Sequence, residues 1–188
     1  MKKKILSALL SIAMVASLLV GCGGSDAAST SAGGGENGLV GVAMPTKDLQ
    51  RWNQDGANMK SELEAAGYSV DLQYASNDVA TQVSQIENMI SSGVDVLVVA
   101  SIDGSSLGTV MSQAKEAGIP VIAYDRLIMD SDAVSYYATF DNYMVGTIQG
   151  QYIKDKLDLD NAAGPFNIEL TTGDPGDNNA RFFFGGAM

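Results

Sequence analysis

Polar side chains that could bind a small hydroxylated molecule recur in the loops that follow the apolar segments of this chain. They combine carboxylates, amides, basic groups and one indole. The candidates are Lys47, Arg51, Trp52, Asp125, Arg126, Asn142, Asp177 and Asn179. Carboxylate and amide oxygens accept hydrogen bonds from vicinal hydroxyl groups, a guanidinium donates in a fork, and an indole covers the apolar face of a pyranose ring. Together these residue types indicate a sugar-binding site.

Asp125, Arg126 and Trp52 also fit ordinary structural roles. Asp125 and Arg126 are adjacent at the end of an apolar segment, where such a pair can be a plain salt bridge or a turn. Trp52 falls on the apolar face of a predicted helix with Met59, so packing in the core competes with stacking on a ligand. Both alternatives stay open.

The remaining candidates have structural alternatives as well. Asn142 and its neighbour Asp141 stand where either could cap the helix that follows. Asp177 and Asn179 belong to a Gly-Asp-Pro-Gly-Asp-Asn-Asn run, and such clusters also form plain turns. Lys47 is the weakest candidate, because a solvated charge is the usual state of a loop lysine.

Two alternating hydrophobic periods predict the elements that position these loops. Strands are predicted at 39–44, 68–74, 94–100, 120–124, 135–140 and 166–172. Helices are predicted at 48–66, between Asn77 or Asp78 and Gly93, at 107–118, at 142–157 and, as an opening, at 180–188. This rhythm predicts an α/β fold with a doubly wound parallel sheet. Ligands of such sheets bind at the carboxyl ends of the strands, where the candidate loops lie.

The N-terminus has the order of a secretion signal. Lys2, Lys3 and Lys4 precede an apolar stretch at 5–20, which is shorter than the ~20 residues of a membrane-spanning helix. Leu-Val-Gly-Cys at 19–22 resembles the lipobox of bacterial lipoproteins, which makes Cys22 the predicted lipidation site. Since Cys22 is the only cysteine, it cannot form a disulfide within the chain. Residues 1–21 are thus a predicted signal peptide, and 22–38 a lipidated, Gly- and Ser-rich linker.

Composition narrows the class of function. The chain has 22 acidic and 11 basic side chains, and removal of the signal peptide would make the remainder still more acidic. Such a charge disfavours nucleic acid as a partner, and we expect contact with a membrane through the lipid alone. Histidine, a Gly-x-Ser-x-Gly motif and a glycine-rich phosphate loop are absent, which argues against an enzyme, although a carboxylate pair could still perform acid-base chemistry. The export signal argues against a transcription regulator.

Four motifs carry a resemblance to a known family. They are Ser-Gln-Ile-Glu-Asn-Met-Ile at 84–90, Val-Ile-Ala-Tyr-Asp-Arg at 121–126, Tyr-Ala-Thr-Phe-Asp-Asn at 137–142 and Gly-Asp-Pro-Gly-Asp-Asn-Asn-Ala at 173–180. In order and spacing they resemble the type 1 periplasmic sugar-binding proteins of ABC importers, in the branch that binds xylose and multiple monosaccharides. The resemblance covers residues 39–188.

The resemblance implies two similar α/β lobes that close over one monosaccharide and deliver it to a membrane permease, without a cofactor, a metal or catalysis. The first lobe would be 39–140, and 141–188 would begin the second. Asp125 would accept from sugar hydroxyls and Arg126 would donate to a hydroxyl or the ring oxygen. A sugar or autoinducer receptor for signalling remains an alternative on the same fold.

Two further expectations concern the end of the chain. Phe182, Phe183 and Phe184 are predicted to begin the core face of a helix rather than a stacking platform. A parallel strand at 166–172 needs cover from further elements, so we expect the sequence to be part of a longer protein. A chain with half of the cleft should bind sugar weakly.

Overall fold

The computed structural model describes residues 36–188, and these form an α/β unit. Its elements are β1 (Leu39–Met44), α1 (Gln50–Ala65), β2 (Ser69–Tyr74), α2 (Val79–Ser91), β3 (Val96–Val99), α3 (Gly108–Glu116), β4 (Val121–Tyr124), β5 (Val134–Ala138), α4 (Asn142–Leu157) and α5 (Asn178–Ala187). The predicted signal peptide, the predicted lipidation site Cys22 and most of the predicted linker lie outside the described residues. Asn37, at the predicted end of the linker, already bonds to the folded unit through Gly67 and Ala66.

The five strands form one parallel sheet in the order β2-β1-β3-β4-β5. Strand β1 lies inside the sheet, so its residues are covered on both faces. Val42 and Met44 belong to a cluster with Trp52 of α1, whereas Ala43 belongs to a second cluster with Ile86 of α2. The helices therefore cover opposite faces of the sheet, and the predicted doubly wound α/β architecture is confirmed.

Local sequence signals explain where the helices begin and end. The side chain of Asp78 caps α2 by accepting a 2.7 Å hydrogen bond from the amide of Thr81. Gly93 and Gly118 follow α2 and α3 with φ angles of +75° and +72°, and glycine is the residue that takes this left-handed conformation without steric cost. The predicted helix ends at these glycines match the structure.

The predicted strand at 166–172 is wrong. Residues 165–172 have no regular secondary structure, and the alternating apolar side chains of Phe166, Ile168 and Leu170 are 41–52% exposed. The physical reason is that a strand needs a neighbour for its backbone hydrogen bonds, and none of the described strands pairs with this segment. The alternation is present in the sequence, but the partner is not among residues 36–188.

Helices α4 and α5 pack with unusually close backbones. A β-carbon added to Gly146 or Gly150 of α4 would overlap the carbonyl oxygens of Phe183 and Ala187 in α5. In return, a β-carbon on Gly186 of α5 would overlap the carbonyl oxygen of Tyr143. Glycine at these positions therefore sets the distance between the two helices. The arrangement fixes the start of α5 beside the carboxyl edge of the sheet.

No helix within residues 36–188 is both long and apolar enough to cross a membrane.

Candidate functional site

A cleft of about 210 Å³ lies at the carboxyl end of β4, between the start of α1 and the start of α5. It is lined by Leu49, Arg51, Trp52, Asp125, Arg126, Phe140, Asn142, Asp177, Asn179 and Phe183. The volume is below the ~300–1,000 Å³ of pockets for drug-sized ligands, so the cleft suits a smaller molecule. Seven of the eight predicted binding residues meet here, and only Lys47 does not line the cleft.

Asp125 stands directly after β4 with an unusual backbone conformation. The residue is 5% exposed and has a φ angle of +61°, a left-handed conformation that aspartate tolerates better than most residues. Its amide donates to the carbonyl of Ala138 over 2.8 Å. Its own carbonyl accepts from Tyr137 Oη, Thr139 Oγ1 and Asn179 Nδ2 over 3.0–3.2 Å. Strained, over-determined backbone of this kind clusters at functional sites.

Arg51 holds one oxygen of the Asp125 carboxylate. Its Nη2 donates to Asp125 Oδ1 over 2.7 Å, and its Nε lies 3.3 Å from Asp55 Oδ2. Burial acts to lower the pKa of Arg51, but the hydrogen bond and the charges of Asp125 and Asp55 outweigh it and raise that pKa above its ordinary value. Within residues 36–188, no protein group donates to the other oxygen, Asp125 Oδ2, which leaves it available to a ligand.

Arg126 is anchored on one side and open on the other. Its Nη1 donates to the carbonyls of Ser101 and Ile102 over 3.2 Å and 3.4 Å, at the loop after β3. Its Nε forms an ion pair of 3.1 Å with Asp177 Oδ2, without hydrogen-bond geometry. The Nη2 group has no protein acceptor among the described residues. A guanidinium held in this way can donate from Nη2 into the cleft.

Trp52 packs in the core and also lines the cleft. Its side chain is 3% exposed and belongs to the core cluster, against which Met59 packs. It also lines the cleft, where the guanidinium carbons of Arg51 and Arg126 lie 4.8 Å and 5.3 Å from the ring centroid. These cation–π contacts hold the two basic side chains against a rigid aromatic wall.

Asn142 lines the cleft, whereas its neighbour Asp141 caps helix α4. Asp141 caps α4 by accepting a 2.9 Å hydrogen bond from the amide of Met144. Asn142 is 5% exposed, and its Nδ2 donates to Thr139 Oγ1 and Asn179 Oδ1 over 3.1 Å and 3.0 Å. Its Oδ1 is buried without a partner among residues 36–188, so it can accept a hydrogen bond from a ligand or a water molecule.

Asp177 and Asn179 combine a turn with a position in the cleft. Asp177 caps α5, since its Oδ1 accepts from the amide of Asn179 over 3.0 Å, while its Oδ2 faces Arg126. Both ends of the Asn179 side-chain amide are hydrogen-bonded: its Oδ1 accepts from Asn142 Nδ2, and its Nδ2 donates to the carbonyl of Asp125. The start of α5 is thus joined to the loop after β4.

Two charged loop residues lie elsewhere. Lys47 is exposed, and its Nζ stands 5.0 Å from the ring centroid of Tyr74. Asp103 accepts a 2.8 Å hydrogen bond from the amide of Ser105 and shapes its own loop. Neither lines the cleft.

Two kinds of contributor were missed by sequence reasoning. Phe140 and Phe183 line the cleft, although Phe183 was expected in a helix core and Phe140 at the end of a strand. Gln82 is fully buried and holds the loop after β3 through two hydrogen bonds. Its side chain donates to the carbonyl of Ala100 and accepts from the amide of Ile102. A polar residue on the buried face of α2, one turn before Ile86, is the signal that could have revealed Gln82.

Among the described residues, the cleft presents acceptors and a donor without protein partners, together with aromatic walls, and this combination suits a small neutral polyol or sugar. No group of three or more His, Cys, Asp or Glu side chains that could hold a metal ion occurs within residues 36–188.

Comparison with known proteins agrees with this chemistry. Residues 40–188 match the family model described as "Periplasmic binding protein domain". The chain is 56% identical over 149 residues to the multiple sugar-binding periplasmic protein SbpA of Azospirillum brasilense, covering 79% of this chain and 42% of that protein. It is 40% identical over 149 residues to the D-xylose-binding periplasmic protein of Escherichia coli, covering 79% and 43%.

Solved structures give the same result. An ABC transporter solute-binding protein from Clostridium phytofermentans with bound β-D-glucose is 79% identical, with a TM-score of 0.78, over 80% of this chain and 46% of that one. A carbohydrate transporter solute-binding protein from Chloroflexus aurantiacus in complex with D-glucose is 40% identical, with a TM-score of 0.69, over 79% and 42%. The chain thus spans less than half the length of these relatives. The family resemblance seen in the sequence is confirmed: the chain belongs to the periplasmic binding protein family.

Proposed function

We propose that the full-length protein binds a monosaccharide, an aldose such as glucose, xylose, galactose or arabinose, in the cleft lined by Asp125, Arg126 and Asn142. The observation that carries this proposal is the set of unpartnered polar groups in one cleft. Asp125 Oδ2 and Asn142 Oδ1 can accept from hydroxyls, and Arg126 Nη2 can donate. A hydroxylated ligand would supply hydrogen-bond partners to these groups, of which Asn142 Oδ1 is buried without a partner among residues 36–188.

The named relatives support the choice of ligand class. Two are described as binding multiple sugars or D-xylose, and two solved neighbours hold D-glucose or β-D-glucose. The relatives are binding proteins rather than enzymes by description. Accordingly, we assign Asp125 and Arg126 to ligand binding and not to acid-base catalysis.

The binding proposal is tested by calorimetric titration of the full-length protein with D-glucose, D-xylose, D-galactose and L-arabinose. At least one sugar should bind with saturable heat at one site per chain. Lys47→Ala should bind as the wild type does, because Lys47 lies outside the cleft. Absence of heat with all four sugars would overturn the proposal.

The second part of the proposal concerns location and partner. Cys22 would carry a lipid that holds the protein at the extracytoplasmic face of the membrane, beside the permease of an ABC importer. The sequence Leu-Val-Gly-Cys and the single cysteine support it, and more than one acyl chain makes such anchoring stable. In the native host, Cys22→Ser should move the protein from membranes to the soluble fraction, whereas Ser25→Ala should not.

Delivery to the importer is tested separately, by sugar uptake into cells. Cells that lack the protein should regain uptake of a radiolabelled sugar with the wild-type gene and fail to do so with Asp125→Ala. Failure of the wild-type gene to restore uptake would contradict delivery to an importer, and equal uptake with both genes would contradict a role of Asp125 in it.

A further inference from the structure

We propose that Thr139 is a positioning residue that holds the ligand-binding groups of Asp125 and Asn142 in place. The inference rests on the proposed function of the cleft. Thr139 itself does not line the cleft, and it follows β5 in the segment that leads to α4. Its hydroxyl is hydrogen-bonded to both Asp125 and Asn142, two of the residues that we propose to contact the sugar.

The direction of the hydrogen bonds at Thr139 is fixed by chemistry. Thr139 Oγ1 lies 3.0 Å from the carbonyl oxygen of Asp125 and 3.1 Å from Nδ2 of Asn142. A carbonyl oxygen can only accept and an amide NH₂ group can only donate. The hydroxyl must therefore donate its proton to Asp125 and accept from Asn142, and no other arrangement satisfies both neighbours.

The contact matters because the backbone of Asp125 is in an unfavourable conformation. A φ angle of +61° costs a non-glycine residue free energy. Such a conformation persists only where contacts with the surroundings hold it in place. The carbonyl of Asp125 is held by Tyr137 and Asn179 as well as by Thr139. Loss of one of these three donors loosens the peptide unit that directs the carboxylate toward Arg51 and into the cleft.

The same hydroxyl orients the other acceptor. With Nδ2 of Asn142 held by Thr139 and Asn179, its Oδ1 is left as a buried acceptor with no partner among residues 36–188. Without the hydroxyl, one of the two constraints on this amide disappears. A substitution of Thr139, which does not line the cleft, should therefore weaken the sugar contacts of both Asp125 and Asn142.

The test compares Thr139→Val, which keeps the shape and removes the hydroxyl, with Thr139→Ser, which keeps the hydroxyl. Thr139→Ala replaces the valine variant if that variant does not fold. Thr109→Val is the matched control, since Thr109 is exposed on α3 and outside the cleft. Each full-length variant is titrated with D-glucose and D-xylose, and hydrogen exchange of the Asp125 amide is measured without sugar.

Thr139→Val should weaken sugar binding by roughly three- to tenfold, as the loss of one net hydrogen bond predicts. Thr139→Ser should recover most of the affinity, and the Asp125 amide should exchange faster in Thr139→Val alone. Wild-type affinity in Thr139→Val, or an equal loss in the valine and serine variants, would overturn the inference. If the wild type bound no sugar, the proposed function would fail and amide exchange would decide the positioning role: an unchanged rate in Thr139→Val would contradict it.

Discussion

Nη2 of Arg51 lies 2.7 Å from Oδ1 of Asp125, and this contact joins helix α1 to the loop after β4 across 74 residues of sequence. The two partners are unequal, because the carboxylate is almost fully buried while the guanidinium side chain is half exposed. One carboxylate oxygen is neutralised by the protein and the other remains free. The cleft therefore offers a charged acceptor without an uncompensated buried charge.

Substitutions of Asp125 should distinguish the effect of its backbone conformation on stability from the effect of its carboxylate on sugar binding. Asp125→Asn keeps a residue that tolerates the left-handed conformation, so its melting temperature should stay near that of the wild type. Asp125→Ala should cost about 1 kcal/mol of stability for backbone strain alone. Both should lower sugar affinity, and the alanine variant by about 30-fold or more, since it removes a buried charged acceptor.

The control for this prediction is Asp130, which is exposed and has a similar φ angle of +53°. Asp130→Ala should lower the melting temperature and leave sugar binding unchanged. If Asp125→Asn bound sugar as tightly as the wild type, the carboxylate would have no role in recognition.

Arg126→Lys should weaken binding although the charge is kept. Lysine cannot donate in a planar fork, so it cannot keep the contact to Ser101 and Asp177 while also presenting a donor to the ligand. We expect a loss of about tenfold or more in affinity by calorimetry. Arg181→Lys, at an exposed arginine outside the cleft, should have no effect. Equal affinities for Arg126→Lys and wild type would show that Arg126 acts only as a charge.

Gly146→Ala should push α4 and α5 apart. The added methyl group would overlap the carbonyl oxygen of Phe183, which is backbone and cannot rotate away. We expect a loss of about 1–3 kcal/mol in the free energy of unfolding, with weaker sugar binding because Asn179 and Phe183 move with α5.

Gly108→Ala is the matched control, because nothing lies within 4 Å of a β-carbon at Gly108. That variant should be as stable as the wild type or more so, since alanine is the better helix former. Similar stability of Gly146→Ala and Gly108→Ala in denaturant unfolding would argue against close helix contact.

Asp78 should give α2 a pH-dependent cap. The hydrogen bond from Thr81 holds the pKa of Asp78 below its ordinary value. A carboxyl group with a lowered pKa in the folded state adds stability above its unfolded pKa of 3.8, and this stability is lost as the pH falls through the folded pKa. Thermal unfolding of the wild type should therefore show this loss in acid.

Two variants isolate the cap. Asp78→Asn keeps an acceptor for the Thr81 amide and should be about as stable as the wild type at pH 7, with a flatter acid limb. Asp78→Ala should be less stable at pH 7. An acid limb of the same steepness in Asp78→Asn would assign the pH dependence to other carboxyl groups.

The fold was largely predictable because its signals are local. Helix α4 begins and ends at the predicted residues, and glycine ends α2 and α3 as expected. The segment at 166–172 shows the limit of such signals, because alternation records the faces of a strand and pairing depends on a partner elsewhere. The segment does alternate apolar and polar residues, but no described strand lies beside it.

Seven of the predicted residues line the cleft, but their contacts were not predictable from the sequence. Parallel strands bring their carboxyl ends to one edge, which is why Arg51 and Asp125 meet despite their distance in sequence. Asn179 follows no described strand directly and is placed there by the packing of α5 on α4. The left-handed backbone of Asp125 and the place of Phe183 on the cleft side of α5 depend on tertiary packing. Lys47 fails for the same reason, since its loop directs it toward Tyr74.

The most direct test of the account is a crystal structure of the full-length protein with bound D-glucose. We expect the pyranose ring beside Trp52, with hydroxyl groups within hydrogen-bond distance of the Asp125 carboxylate and the Arg126 guanidinium, and with Asn142 Oδ1 accepting from the sugar. A sugar bound elsewhere, with Asp125 and Arg126 still contacting only protein groups, would contradict the central claim.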